Sequence, residues 1–209
     1  MIVLYKYFVL AGILSFAVLL TANGAAVQDS KKAQPDKKSE GIRRTSAAKQ
    51  IESNAAQERK MEIFEHAAAN RELAALTQVE HAREMEQKAS DIENSPDDET
   101  NNWKKRFSRS GIMRQSAAEL YGQAVANFDK AAANRTMVAK IGKTIGKTAQ
   151  LQKSESYAEN MKAQGSEAMR LAACACEAAA VAFDKAERPT DVAANSQMAA
   201  VWLEKLALR

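Results

Sequence analysis

The sequence predicts an all-α protein: an elongated helical bundle or coiled-coil hairpin of three to four alanine-rich helices, with a flexible N-terminal tether. Three observations predict it. About a fifth of the 209 residues are alanine, the best helix former because its side chain loses no rotamer freedom in a helix. Glycine (8) and proline (3) are scarce, and no window shows the sustained period-2 alternation of β-branched residues that a sheet requires. Small apolar residues recur every seven positions over long stretches, the spacing of a helix packed along one narrow seam.

The hydrophobic fraction of 46% overstates the core, because alanine inflates it and many large apolar residues lie in the first twenty positions. A buried alanine contributes far less than the roughly 1.5–3 kcal/mol of a buried Leu or Phe. A core built this way is thin, with helix backbones close together. The net charge is +4 and the isoelectric point about 9.0. Basic residues prevail from Lys31 to Lys60, acidic ones from Glu62 to Glu99, and Lys104 to Arg109 is basic again. Blocks of opposite sign suit solvated helix faces or charge-matched neighbours.

Residues 1–24 read as a signal peptide. Lys6 follows the free amine, Tyr7 to Leu20 is an unbroken apolar run, and Thr21 to Ala26 supplies small residues. Cleavage after Gly24 or Ala26 fits the small-residue rule. The rival reading is an uncleaved signal anchor, if Ile2-Val3-Leu4 joins the span with Lys6 reaching to the interface. Lys31, Lys32, Lys37 and Lys38 would then favour a cytosolic C-terminal side. The expected location is secreted or at the cell surface or envelope, membrane-anchored if the signal is retained. Residues 25–46, polar and charged with Pro35 and Gly41, read as a flexible tether.

Residues 47–209 form the expected helical domain. The first helix is expected over 47–93, with Met61, Ala68, Ala75, Ala82 and Ala89 spaced by sevens and Phe64, Leu76, Val79, Met85 and Ile92 on or beside them. Pro96, which lacks an amide hydrogen, stops it. Glu80, Glu84 and Glu86 read as solvated face. The second helix is expected over 111–147, with Ala117, Ala124, Ala131, Val138 and Ile145 at sevens. It ends in a tandem Ile-Gly-Lys-Thr (141–144 and 145–148) that marks a kink, a turn or a close contact. The third, over 149–187, has the clearest pattern: Leu151, Ala158, Gly165, Ala172, Ala179 and Ala186 in one register, and Ser154, Met161, Ala168, Ala175 and Ala182 in a second. Met169, Cys176 and Phe183 flank them. Arg188-Pro189 breaks this helix, and Thr190 or Asp191 is expected to cap the last one, over 191–208. That last helix is the most apolar part of the mature chain and is expected to be the best packed.

Known chemistries are mostly missing. Gly146-Lys147-Thr148 lacks the glycine a Walker loop needs at position 141, where Ile stands, and no strand precedes it. His66 and His81 are too far apart to share a helical turn as ligands, so no metal or cofactor is expected. Cys174 and Cys176 point about 200° apart on a helix, too far to bridge one another, and are candidates for intermolecular disulfides. Asn134-Arg135-Thr136 is a glycosylation sequon. Trp103, Lys104, Lys105, Arg106, Phe107 and Arg109 are candidates for contact with an anionic partner, in what reads as an inter-helix loop. No nucleic acid is expected.

The pattern points to an exported, non-enzymatic structural or interaction protein that binds through helix faces and associates with itself or a helical partner. The alternatives are a signal-anchored component of an envelope or secretion assembly and a small export-pathway chaperone.

Overall fold

A computed structural model describes residues 37–95 and 102–209. The signal segment, most of the tether, and Pro96 with its acidic neighbours lie outside the described residues. The described residues are all-α: α1 (Lys37–Asn94), α2 (Trp103–Thr144), α3 (Thr148–Lys185) and α4 (Pro189–Ala207), with no strand among them. By packing the chain divides into Met1–Arg43 and Arg44–Arg209; the contacts below belong to the second unit.

Two boundaries depart from the sequence reading. α1 is already helical at Lys37, the first residue described and inside the stretch expected as a tether, and α2 starts at Trp103, so the basic aromatic cluster is the first turns of a helix and not a loop. Neither stretch carries a seam, so periodicity had nothing to register there.

Cross-helix hydrogen bonds fix the directions. Glu93 on α1 accepts from Ser110 and Arg114 on α2, Glu86 from Tyr121, and Arg71 donates to Asn127. Residue numbers fall on one helix as they rise on the other, so α1 and α2 are antiparallel. Contacts of Glu58 with Lys147 and of Glu65 with Gln150 lay α1 parallel to α3. α4 runs parallel to α2, with Arg188 donating to Ser108 and Arg209 to Asp129.

The residues spaced by sevens are the buried ones. Ala68, Ala75, Ala82 and Ala89 on α1 are at most 1% exposed, as are Ala117, Ala124, Ala131 and Val138 on α2. Both registers of α3 are covered from Ser154 to Ala186. A methyl group at each crossing lets helix axes approach the short end of the usual ~8–10 Å range. Large side chains fill the remaining space: Phe128 and Met161 in one cluster, Tyr121 in a second beside Cys176, Val138 and Met61 in a third.

Glycine makes room where a large side chain crosses a helix. A Cβ on Gly111 would lie 2.8 Å from the Phe183 ring, and one on Gly122 2.8 Å from Trp202. Both contacts press a flat ring against bare backbone, Phe183 joining α3 to α2 and Trp202 joining α4 to α2.

The tandem Ile-Gly-Lys-Thr is the α2–α3 turn. Gly146 has φ +76°, Lys147 N–H donates to Gly142 O (2.8 Å) and Gly146 N–H to Lys143 O (3.4 Å). This paired pattern ends a helix on a left-handed residue, where glycine is unstrained. The α3–α4 turn repeats the pattern with Glu187 (φ 57°) in glycine's place, Arg188 N–H reaching Phe183 O and Glu187 N–H reaching Asp184 O. Pro189 then opens α4, a position where its missing amide costs nothing. The cap residue is Arg188, with no side-chain cap, in place of the expected Thr190 or Asp191.

The expectation that the last helix packs best is overturned. Only Asn195 and Ala199 of α4 are buried. Its apolar residues lie on two sides, and the described residues cover one of them.

Candidate functional site

α4 carries two stripes at alternating three- and four-residue spacing, the helical neighbour spacing. Val192, Asn195, Ala199, Trp202 and Leu206 face inward, where Trp202 and Leu206 join the core clusters. Ala194, Met198, Val201, Lys205 and Leu208 face outward, with Met198 46%, Val201 38% and Leu208 81% exposed. A helix apolar all round is normally covered all round. The inward side is held at both ends: Arg188 donates to Ser108 at 2.7 Å, and Arg209 grips both carboxylate oxygens of Asp129 at 2.5 Å. The outward stripe is thus displayed on an anchored helix.

The predicted anionic-partner residues gather at the start of α2. Lys104 is engaged with Glu187 and lies over the Trp103 ring. Arg106 donates to Ser95 O at 2.8 Å and stacks on Phe107, whose ring also receives Lys185 at 4.8 Å. Lys105 and Arg109 are exposed and line a depression of about 440 Å³ with Asp91 and Ser95. Much of the cluster's charge is therefore used inside the molecule, and two cations face outward.

The two cysteines differ. Cys174 is exposed, its sulfur 3.9 Å from the Arg170 guanidinium, whereas Cys176 is 1% exposed in the α2–α3–α4 core. Burial, with Glu119 and Glu177 nearby, pushes the Cys176 thiol up to about 11. A thiol so buried and so reluctant to ionise is a poor partner for another chain, which leaves Cys174 as the disulfide candidate. Asn134 sits half-buried within α2, and the sequon's Thr136 hydroxyl donates to Ala132 O. The sequon is mid-helix, not on the surface loop that such acceptors usually occupy.

No family model, curated protein or solved structure matches the chain.

Sequence reasoning missed two buried polar contacts. Tyr121, fully buried, donates to Glu86 Oε2 at 2.8 Å, so Glu86 is half-buried and paired, not simply a solvated face residue. Ser110, equally buried, donates to Glu93 Oε1 at 2.6 Å while Arg114 holds Oε2 at 3.0 Å. Both acids lie beside the alanine seam, and their position on its edge was the available signal. Among the described residues no group of three or more His, Cys, Asp or Glu is placed to hold a metal ion, and no helix is long and apolar enough to cross a membrane.

Proposed function

We propose that this chain is an exported, non-enzymatic structural or interaction protein, secreted or at the cell surface, which assembles with copies of itself through the outward stripe of α4. Export rests on the composition of residues 1–26 alone. The observation that supports assembly is the second apolar side of α4, with Met198, Val201 and Leu208 exposed on a helix pinned at both ends.

The stripe reads sensibly against itself. In an antiparallel pair centred on Val201, Leu208 falls opposite Ala194 of the second copy, large against small. Alanine seams bury little area per residue, so an elongated bundle of coiled-coil character gains from a further helix layer.

Sedimentation velocity tests the reading. The wild-type chain is expected to associate at tens of micromolar or below, an energy of roughly 6 kcal/mol or more. Val201→Glu is expected to be monomeric with an unchanged helical spectrum, because it places a charge at the centre of the stripe. A wild type that stays monomeric to about 100 µM overturns the proposal.

A further inference from the structure

The outward face of α1 carries charges that the described residues do not use. Met61, 6% exposed, marks the inward side of this part of the helix. At about 100° per residue, Glu52 and Arg59 lie on the side opposite to it. Lys49 and Glu62 flank that line, one on each side, and Ala55 and Ala56 stand at its middle. All six are exposed. Among the described residues, no ion pair or hydrogen bond engages the side chain of Lys49, Glu52, Arg59 or Glu62. Glu58, by contrast, is paired with Lys147 at the α2–α3 turn at 2.8 Å. Residues 47–57 therefore run on past that end of the hairpin and leave room for a second helix.

Positions 49, 52, 55, 56, 59 and 62 read plus, minus, small, small, plus, minus. The spacing is the same from either end, and reversal exchanges the signs. That is the condition for a face to fit a second copy of itself laid antiparallel. With a two-fold axis between Ala55 and Ala56, Glu52 of each copy lies opposite Arg59 of the other. Lys49 of each comes level with Glu62 of the other. Laid parallel and in register, the same face sets every charge against its own sign, which repels. Its two positive and two negative charges cancel, so an anionic membrane or a nucleic acid finds no excess of cations to hold.

The remaining residues suit a close crossing. The alanines at the centre let the helix axes approach the short end of the usual ~8–10 Å range. Ile63, 66% exposed, falls against the carbon stem of Lys49 of the second copy. Each α1 keeps its inward side on its own hairpin. The two hairpins thus stand on opposite sides of the helix pair and toward opposite ends of it, clear of each other.

We infer that the outward face of α1, centred between Ala55 and Ala56, is an antiparallel contact between two copies of this chain, selected by the reciprocal pairs Glu52–Arg59 and Lys49–Glu62. Exposed ion pairs add little strength singly and alanine buries little area, so the contact sets orientation more than affinity, with a dissociation constant of about 1 mM. Joined to the two-fold contact on α4, it links copies into a line or ring. That consequence rests on the α4 reading; the α1 contact does not.

The test therefore uses the full chain with Val201→Glu, which removes the α4 contact, and Cys174→Ser, which removes the exposed thiol. Oxidation at about 200 µM traps the minor paired population. Ala56→Cys sets its two thiols one residue apart along the axis, whereas Lys49→Cys sets them about 20 Å apart. Ala56→Cys is expected to cross-link at least tenfold faster than Lys49→Cys. Adding Glu52→Arg to Ala56→Cys places arginine against arginine and is expected to slow cross-linking at least fivefold. Adding Arg59→Glu as well exchanges the signs and is expected to restore it. These positions are exposed on a helix, and an unchanged helical spectrum confirms that each variant folds. Lys49→Cys linking as fast as Ala56→Cys, Glu52→Arg without effect, or no recovery on adding Arg59→Glu would each overturn the assignment.

Discussion

Gly111 and Gly165 look alike in sequence, but their surroundings give them opposite roles. At Gly111 an added Cβ meets three atoms of the Phe183 ring at 2.8–2.9 Å, and Phe183 is 1% exposed with nowhere to go. At Gly165 the nearest atom is Nη1 of Arg209 at 2.7 Å, the end of a long side chain that can shift by loosening its hold on Asp129 and Lys162 O. Alanine gains about 1 kcal/mol over glycine in a helix, while overpacking a fixed core costs about 1–3 kcal/mol. Gly111→Ala is therefore expected to cost up to about 2 kcal/mol net, and Gly165→Ala to lie near neutral, its helix gain offset by a loosened Arg209–Asp129 contact. Urea midpoints of the two variants separate these outcomes. Tyr121 supplies a pH dependence. Burial first, then the bond to Glu86, hold its phenol well above the ordinary value of 10.0. The unfolded chain releases that proton near pH 10 while the folded chain keeps it, so the contribution is complete below pH 10 and is lost as pH rises beyond it. Tyr121→Phe is expected to lose about 1 kcal/mol at pH 7 with the hydrogen bond, and to flatten the fall in melting temperature between pH 9 and 11. An equally steep fall in the variant would assign the alkaline loss to other groups. None of the three residues could be read this way from sequence, since a glycine's neighbour and a tyrosine's partner come from another part of the chain.

The two tight turns show what an element needs in order to end. α2 stops on Gly146 and α3 on Glu187, with the same two backbone hydrogen bonds, yet only glycine adopts positive φ without strain. A left-handed non-glycine residue costs about 1–2 kcal/mol. The ion pair that Glu187 makes with Lys104 is solvent-exposed and returns at most about 1 kcal/mol. Glu187→Gly is thus expected to raise stability slightly, by about 0.5–1 kcal/mol, seen as a later thermal transition with no change in helical content. A drop in stability would mean that the Lys104 contact, joining the start of α2 to the end of α3, outweighs the strain. The seams were visible in sequence, and the Ile-Gly-Lys-Thr repeat was marked as a kink, a turn or a close contact, because periodicity and glycine are local signals. The early start of α2 was not, because Trp103 to Arg109 is polar and reads as a loop until Phe107 and Arg106 are seen packed near Lys185 and Ser95. The last helix misled for the opposite reason. Its apolar content was legible, but composition does not say how many sides of a helix its own chain will cover.

At the scale of the whole molecule, a seam of methyl groups and a display of larger apolar residues are linked. Ala75, Ala82, Ala172 and Ala175 are fully buried, yet each removes little area from water. Met198, Val201, Leu203 and Leu208 retain much of theirs. In the proposed assembly, covering the outward stripe of α4 adds a hydrophobic layer to a thin core without altering a helix, and folding would then couple to association by mass action. Stability should therefore depend on protein concentration. A dimer that binds only in the folded state is stabilised by about 1.4 kcal/mol for each tenfold rise of free partner above its dissociation constant. For a helical region of this length, that raises the melting temperature by roughly 2–4 °C per kcal/mol. Scanning the wild type from 2 to 200 µM, a hundredfold range, should thus raise its transition by several degrees, the larger part once association saturates. Val201→Glu should melt at one temperature throughout that range, equal to the low-concentration limit of the wild type. If both proteins melt independently of concentration, α4 keeps its second apolar side in water, and the stripe is available to a partner other than a second copy of this chain.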